Sequence, residues 1–124
     1  MLIYVHGFGS SPASAKAQLL KARLEALGRG AEFLAPALPA GPTQAAALLD
    51  ALAARHRGAA LVGSSLGGYY ATWLAEKHGL KAVLLNPVVR PYELLASLVG
   101  RQKKFHTGEE YDFTTGHVDE LRAL

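Results

Sequence analysis

The 124-residue sequence predicts an α/β fold, a parallel sheet with helices on both faces, and three observations carry that expectation. Short apolar runs alternate with longer segments of helical periodicity, and turn residues punctuate nearly every change from one to the other. Half of the residues are apolar and 19% are charged, the balance of a folded globular chain. Strands that alternate with helices call for parallel pairing with right-handed crossovers, because each helix must bury its apolar stripe against the sheet.

The first run, Leu2 to Val5, is closed by His6-Gly7-Phe8-Gly9-Ser10-Ser11-Pro12 and reads as a strand buried on both faces. Ser11 and Pro12 then read as a hydroxyl N-cap and the first residue of a helix, with Leu19, Leu20, Leu24 and Leu27 as its apolar face and Gly28 or Gly30 as its stop. Glu32 to Ala35 is a weaker strand ended by Pro36, and Pro42-Thr43 opens an alanine-rich helix reaching to about Arg57, apolar at Leu48, Leu49 and Leu52. Ala59 to Val62 is the third strand, Leu66 to His78 a helix stopped at Gly79, and Lys81 to Leu85 a fourth strand ended by Asn86-Pro87. Beyond Pro91, Tyr92 to Val99 suggests one more helix, while the polar, glycine-punctuated stretch Gly100 to Gly116 reads as loop. His117 to Leu124 is either a last helical turn or the beginning of a strand. The length fits one domain over residues 1–124.

The totals exclude several functions. The net charge is only +3 and the basic residues are scattered. Arg101 to Lys104 is the one short run, it lacks aromatic interleaving, and it reads as a solvated loop, so no nucleic-acid partner is expected. Cysteine is absent, which removes disulfides, thiolate metal sites and a Cys nucleophile and suits a reducing compartment such as the cytoplasm. Met1 to Val5 lacks the basic start of a signal peptide, and no stretch approaches the roughly 20 apolar residues of a membrane span, so no membrane association is expected. No metal site is expected.

Between the third strand and the following helix lies Gly63-Ser64-Ser65-Leu66-Gly67, a G-x-S-x-G motif in the strand-to-helix context that a nucleophile elbow requires. The chain must reverse within a few residues, and glycine two positions to either side of the serine removes side chains that would collide in the turn. Ser65 satisfies both spacings; Ser64 would need glycine where Val62 and Leu66 stand. At the start of a helix, Ser65 also meets free N–H groups that favour a developing negative charge. The plain alternative is a small-residue turn without chemistry. Nucleotide binding fits poorly, since Gly68 is followed by Tyr69 and not by lysine, and Gly7-Phe8-Gly9-Ser10-Ser11-Pro12 ends in proline where a dinucleotide fingerprint needs glycine. His6-Gly7-Phe8-Gly9 follows the first strand, where such a fold presents one backbone donor of an oxyanion hole; the expected pair of N–H donors is Phe8 and Leu66, with Gly7, Gly63 and Gly67 shaping the turns.

Tyr4-Val5-His6-Gly7-Phe8, Ser10-Ser11-Pro12, Ser14-Ala15-Lys16, Gly63 to Leu74 and Asn86 to Leu95 closely resemble the YqiA-like esterases, and Thr107 to Tyr111 and His117 to Leu121 are similar to later segments of that family. The resemblance implies an α/β-hydrolase fold and an intracellular carboxylic-ester hydrolase that acts on small activated acyl esters without a cofactor. It also implies that the acid and histidine of the triad lie on later strand ends, so the chain reads as the N-terminal two thirds of such a domain, short at its C-terminus.

Other candidates are weaker. Asp112 and His117 follow Ser65 in the right order, but both would have to reach the elbow from one short loop. His6 reads as an anchor of its own turn, His56 and His78 as helix C-terminal residues that complement the dipole, and His106 as solvated. Arg90 is either a contact for a substrate carboxylate or an ordinary turn cation. Ala82 to Leu85 is apolar on both faces and reads as an interior strand, so its outer edge needs a cover: the tail Phe105 to Leu124, a second copy of the chain in a homo-oligomer, or a further C-terminal segment. Two functions follow from different classes: a serine esterase, or a non-catalytic module that binds a ligand or partner in the same cleft.

Overall fold

In the computed structural model, which describes residues 1–105 and 107–124, the chain begins with strand β1, Leu2–Val5. Helix α1 follows at Ala15–Ala26, then strand β2 at Phe33–Leu34, helix α2 at Pro42–Arg55, strand β3 at Ala60–Ser64, helix α3 at Leu66–His78 and strand β4 at Lys81–Leu85. All four strands pair in parallel in the order β2-β1-β3-β4. The period of two along each strand divides the core into two layers. Ile3 and Val5 with Leu61 face α2 and α3 through Leu49, Tyr70, Ala71 and Leu74, whereas Tyr4 and Val62 face the other way, onto Ala17 of α1. Helices therefore cover both faces, as the alternation of elements predicts.

Helix α1 departs from expectation in two ways. It starts at Ala15, not at Pro12, because Ser14 and not Ser11 is its cap: the Ser14 hydroxyl accepts from the Ala17 N–H at 3.3 Å, while the Ser11 hydroxyl is used in a local turn by the Ala13 N–H at 3.1 Å. Half of its leucine stripe is also outside the core, with Leu19 72% and Leu27 64% exposed. Ala17 makes the close approach to Tyr4 and Val62, and of the four leucines Leu20 packs against that cluster.

After β4 the structure is more regular than the sequence suggests. Helix α4, Pro91–Leu94, passes into a short 3-10 turn over Leu95–Leu98, so the helix expected from Tyr92 to Val99 is broken in two. The stretch expected to be loop, Gly100 to Gly116, instead forms an antiparallel hairpin of β5, Gly100–Lys103, and β6, Glu110–Phe113. Arg101 bridges both Glu110 and Asp112 across the strands at 3.2 Å on the exposed face, while Tyr111 and Phe113 of β6 alternate with these acids and face inward. Helix α5, Thr115–Ala123, closes the chain and packs on α2 and α4 through Val118 and Leu121. His106 lies outside the described residues.

The tail thus does not cover the outer edge of β4. Phe105 to Leu124 goes into the hairpin and α5, and no described strand pairs with that edge. Val83 is 57% and Leu84 40% exposed, so β4 presents the apolar surface expected of an interior strand, and no described residue covers it by strand pairing.

Candidate active site

Parallel register sets the C-terminal ends of the strands side by side: Val5 pairs with Gly63, and Ser64 with Leu85. The loops that begin at His6, Ser65 and Asn86 consequently leave one edge of the sheet, the edge where open parallel sheets assemble their sites. Ser65 stands there at φ 57°, ψ −118°, a left-handed conformation that a residue with a side chain rarely adopts, directly before the first residue of α3. The neighbouring backbone holds it in place. Its N–H donates to the Leu85 carbonyl at 3.0 Å, and its own carbonyl accepts from Gly68 at 2.9 Å and from Val88 at 3.0 Å.

The two motif glycines are steric requirements of this turn. A Cβ on Gly67 would run into the Val5 carbonyl, and one on Gly63 would run into the Gly67 carbonyl. Gly68, outside the motif, faces a similar limit, since its Cβ would lie 2.8 Å from the Pro87 Cβ. Sequence reasoning did not assign this role to the segment after β4. The Asn86-Pro87 break was its visible signal, and Asn86 at φ 46° is, among the described residues, the other non-glycine residue with positive φ.

Gly7 lies against the elbow, where a Cβ would be 3.2 Å from the Ser65 Cβ and 3.7 Å from its hydroxyl oxygen. Phe8 follows, packed edge-on against Phe113 at 5.0 Å and Tyr111 at 6.1 Å between ring centroids. The hairpin supports the same loop by a hydrogen bond from the Phe105 N–H to the Gly9 carbonyl at 2.8 Å. Leu66 is the first residue of α3, so its N–H has no partner inside the helix. Neither the Phe8 nor the Leu66 N–H makes a hydrogen bond to a described residue. Both residues line a small cavity of about 40 Å³ together with Leu38, Tyr70 and Tyr111. The Tyr111 hydroxyl is the one buried side-chain polar atom without a partner among the described residues.

The remaining candidates fall into separate places. His6 is buried and bridges its turn to the segment after β2: its Nδ1 lies 2.9 Å from the Gly7 carbonyl, and its Nε2 accepts from the Leu38 N–H at 3.0 Å. Burial holds its pKa below the usual imidazole value, and Lys104 pushes the same way. His6 is therefore a neutral structural anchor, as its position in the loop suggests. Asp112 and His117 do not form a dyad. Asp112 pairs with Arg101, while His117 completes a capping box with Thr114, receiving the Thr114 N–H on Nδ1 at 3.2 Å and giving its own N–H to the Thr114 hydroxyl at 3.1 Å. His78 ends α3 and meets Asp50 at 2.6 Å, at the opposite end of that helix from Ser65; His56 caps α2. Arg90 is exposed on the loop after β4 and lies 3.9 Å from Glu93.

Ser64 and Ser65 are distinguished by their surroundings. Ser64 ends β3, is buried, and accepts from the Lys16 ammonium at 3.4 Å. Ser65 lines an open cleft and its hydroxyl makes no hydrogen bond to a described residue. Lys16, at the start of α1, is a member of this cleft that sequence reasoning did not single out. Among the described residues no group of three or more His, Cys, Asp or Glu side chains is placed to hold a metal ion, and no helix is long and apolar enough to cross a membrane.

Among solved structures, a crystal structure of a protein from Agrobacterium vitis S4, provisionally named a hydrolase, superposes with a TM-score of 0.75 at 19% sequence identity. The match covers 98% of this chain and 60% of the other, so this chain spans about three fifths of that protein's length, and at such identity the likeness shows the fold alone. The profile of the family described as "Uncharacterised protein family (UPF0227)" matches residues 1–124, the whole chain. This is the family of the YqiA-like esterases that the motifs resemble, and the chain belongs to it.

Proposed function

We propose that this chain carries the nucleophile and oxyanion half of a serine esterase, in which Ser65 attacks the carbonyl of a small carboxylic ester and becomes acylated. The observation that carries the reading is the left-handed Ser65 between β3 and α3, held where Gly63 and Gly67 leave no room for a side chain. Attack converts the carbonyl oxygen to an oxyanion, and the Phe8 and Leu66 N–H groups are the donors assigned to it. Each donor so placed lowers the barrier by about 3 to 4 kcal/mol. In this reading the base that takes the Ser65 proton, and the carboxylate that orients it, belong to segments outside these 124 residues, in a reducing compartment such as the cytoplasm. No cofactor enters the reaction.

A second reading, a non-catalytic module of the same fold, is favoured by one observation: His6, His78 and His117 are each hydrogen-bonded elsewhere. A fluorophosphonate probe separates the two. An elbow with an oxyanion hole but without its base retains a residual advantage of about 10³ to 10⁴ over water, so slow labelling dependent on Ser65 is expected. Labelling that does not occur, or that is unchanged in Ser65→Ala, supports the binding module. The exposed outer edge of β4 belongs to the same proposal as the place where a second copy of the chain, or further chain, would add a strand.

A further inference from the structure

Lys16 is the second residue of α1, and helical side chains lean toward the N-terminus of their helix. That lean brings its ammonium over the end of β3, 3.4 Å from the Ser64 hydroxyl and one residue from the nucleophile. The cleft there has a volume of about 370 Å³ and is lined by Lys16, Ser10, Ser64 and Ser65, with Phe8 and Phe105 as apolar walls. No aspartate or glutamate lines it among the described residues. Lys16 also forms no ion pair with a described carboxylate, whereas Lys77 and Lys104 each do. An ammonium has three donor hydrogens and no acceptor, so Ser64, at the long end of hydrogen-bond range, leaves it capacity for a ligand.

We propose that the cleft selects esters carrying a carboxylate, on either the acyl or the alcohol part, and that Lys16 is the residue that selects them. The inference deepens the esterase reading and rests on it. A positive charge facing hydroxyls and two aromatic walls suits a short methylene chain ending in an anion. A carboxylate bound there would accept a charge-assisted hydrogen bond from Lys16 while the ester carbonyl lies at Ser65.

The test is an amide NMR titration of the whole chain, following Gly7, Ser10 and Ser65, with three small probes. Methyl hemisuccinate carries its carboxylate on the acyl part, acetoxyacetate carries it on the alcohol part, and dimethyl succinate is neutral. The expected result is that at least one monoanion binds about tenfold more tightly than dimethyl succinate, and the better of the two identifies which part of the ester lies against Lys16. Lys16→Gln should abolish that preference and Lys16→Arg should retain it; both change an exposed side chain and should leave the fold intact. Equal binding of all three probes, a preference that survives in Lys16→Gln, or no binding of either monoanion in the millimolar range overturns the proposal. Fluorophosphonate labelling of the same samples is read separately. Absent labelling with an intact Lys16-dependent preference would strike the esterase reading alone and leave Lys16 as the selecting residue.

Discussion

Gly67→Ala places two effects of opposite sign in competition. Alanine is the better helix former, so propensity alone predicts a gain of about 0.5 to 1 kcal/mol at a position inside α3. The added methyl would, however, collide with the Val5 carbonyl and lie 2.8 Å from the His6 carbonyl, both backbone atoms of β1 and its loop that cannot rotate away. Relief requires α3 to move off the sheet along the contacts that Leu66, Tyr70 and Leu74 make with the core. Overpacking of side chains costs about 1 to 3 kcal/mol, and a collision with rigid backbone belongs at or above the top of that range. Sterics should therefore win, with a net loss of about 3 kcal/mol and a fall in Tm of roughly 10 °C for a domain of this size. The control is Gly116→Ala in α5, where the new methyl would meet only the Thr114 hydroxyl at 3.4 Å. There propensity should prevail, and stability should rise by about 0.5 kcal/mol. Urea unfolding and thermal melts of the two variants beside the unsubstituted chain measure both signs. A Gly67→Ala protein as stable as its parent would refute the close approach of α3 to β1 on which the elbow depends.

Ser65→Gly should remove the strain at φ 57° and raise stability by about 1 kcal/mol relative to Ser65→Ala, which keeps the Cβ; equal urea midpoints for the two would mean that the turn is unstrained. His6 gives a pH dependence of defined sign. Burial lowers its pKa in the fold, so below about pH 6.5 the unfolded chain binds more protons than the native one. Its contribution is whole above that pH and is lost as pH falls toward and through the depressed native value. Urea unfolding across this window should lose stability more steeply for the parent than for His6→Asn, and parallel curves would contradict the assignment. Thr114→Ala removes the hydroxyl that accepts from His117 and should cost about 1 kcal/mol, read by denaturation; no loss would mean that the capping box does not form in solution.

The four parallel strands and the elbow were legible because their signals are local. A short apolar run between turn residues marks a buried strand, and glycine on either side of Ser65 states a steric need that the backbone turns out to have. The hairpin was not legible from its first strand, since Gly100-Arg101-Gln102-Lys103 has no apolar alternation; the alternation of Tyr111 and Phe113 with acids on the second was its one local signal. The start of α1 was displaced because Ser10, Ser11 and Ser14 all offer cap hydroxyls, and only the folded backbone decides among them. The place of β4 beside β3 and not beside β1 follows from strand order, which composition does not encode. Lys16 could not be placed at the site from its neighbours in sequence, because its partner Ser64 is 48 residues away and the contact exists only once α1 lies across the sheet.

The central claim is that Ser65, and not the adjacent Ser64, is the nucleophile. The most direct measurement is peptide mapping by tandem mass spectrometry after prolonged incubation with a fluorophosphonate, on the parent chain, Ser64→Ala and Ser65→Ala. The account predicts a phosphonyl adduct on Ser65 in the parent and in Ser64→Ala, and none in Ser65→Ala. An adduct on Ser64, or labelling that survives the loss of Ser65, would contradict it.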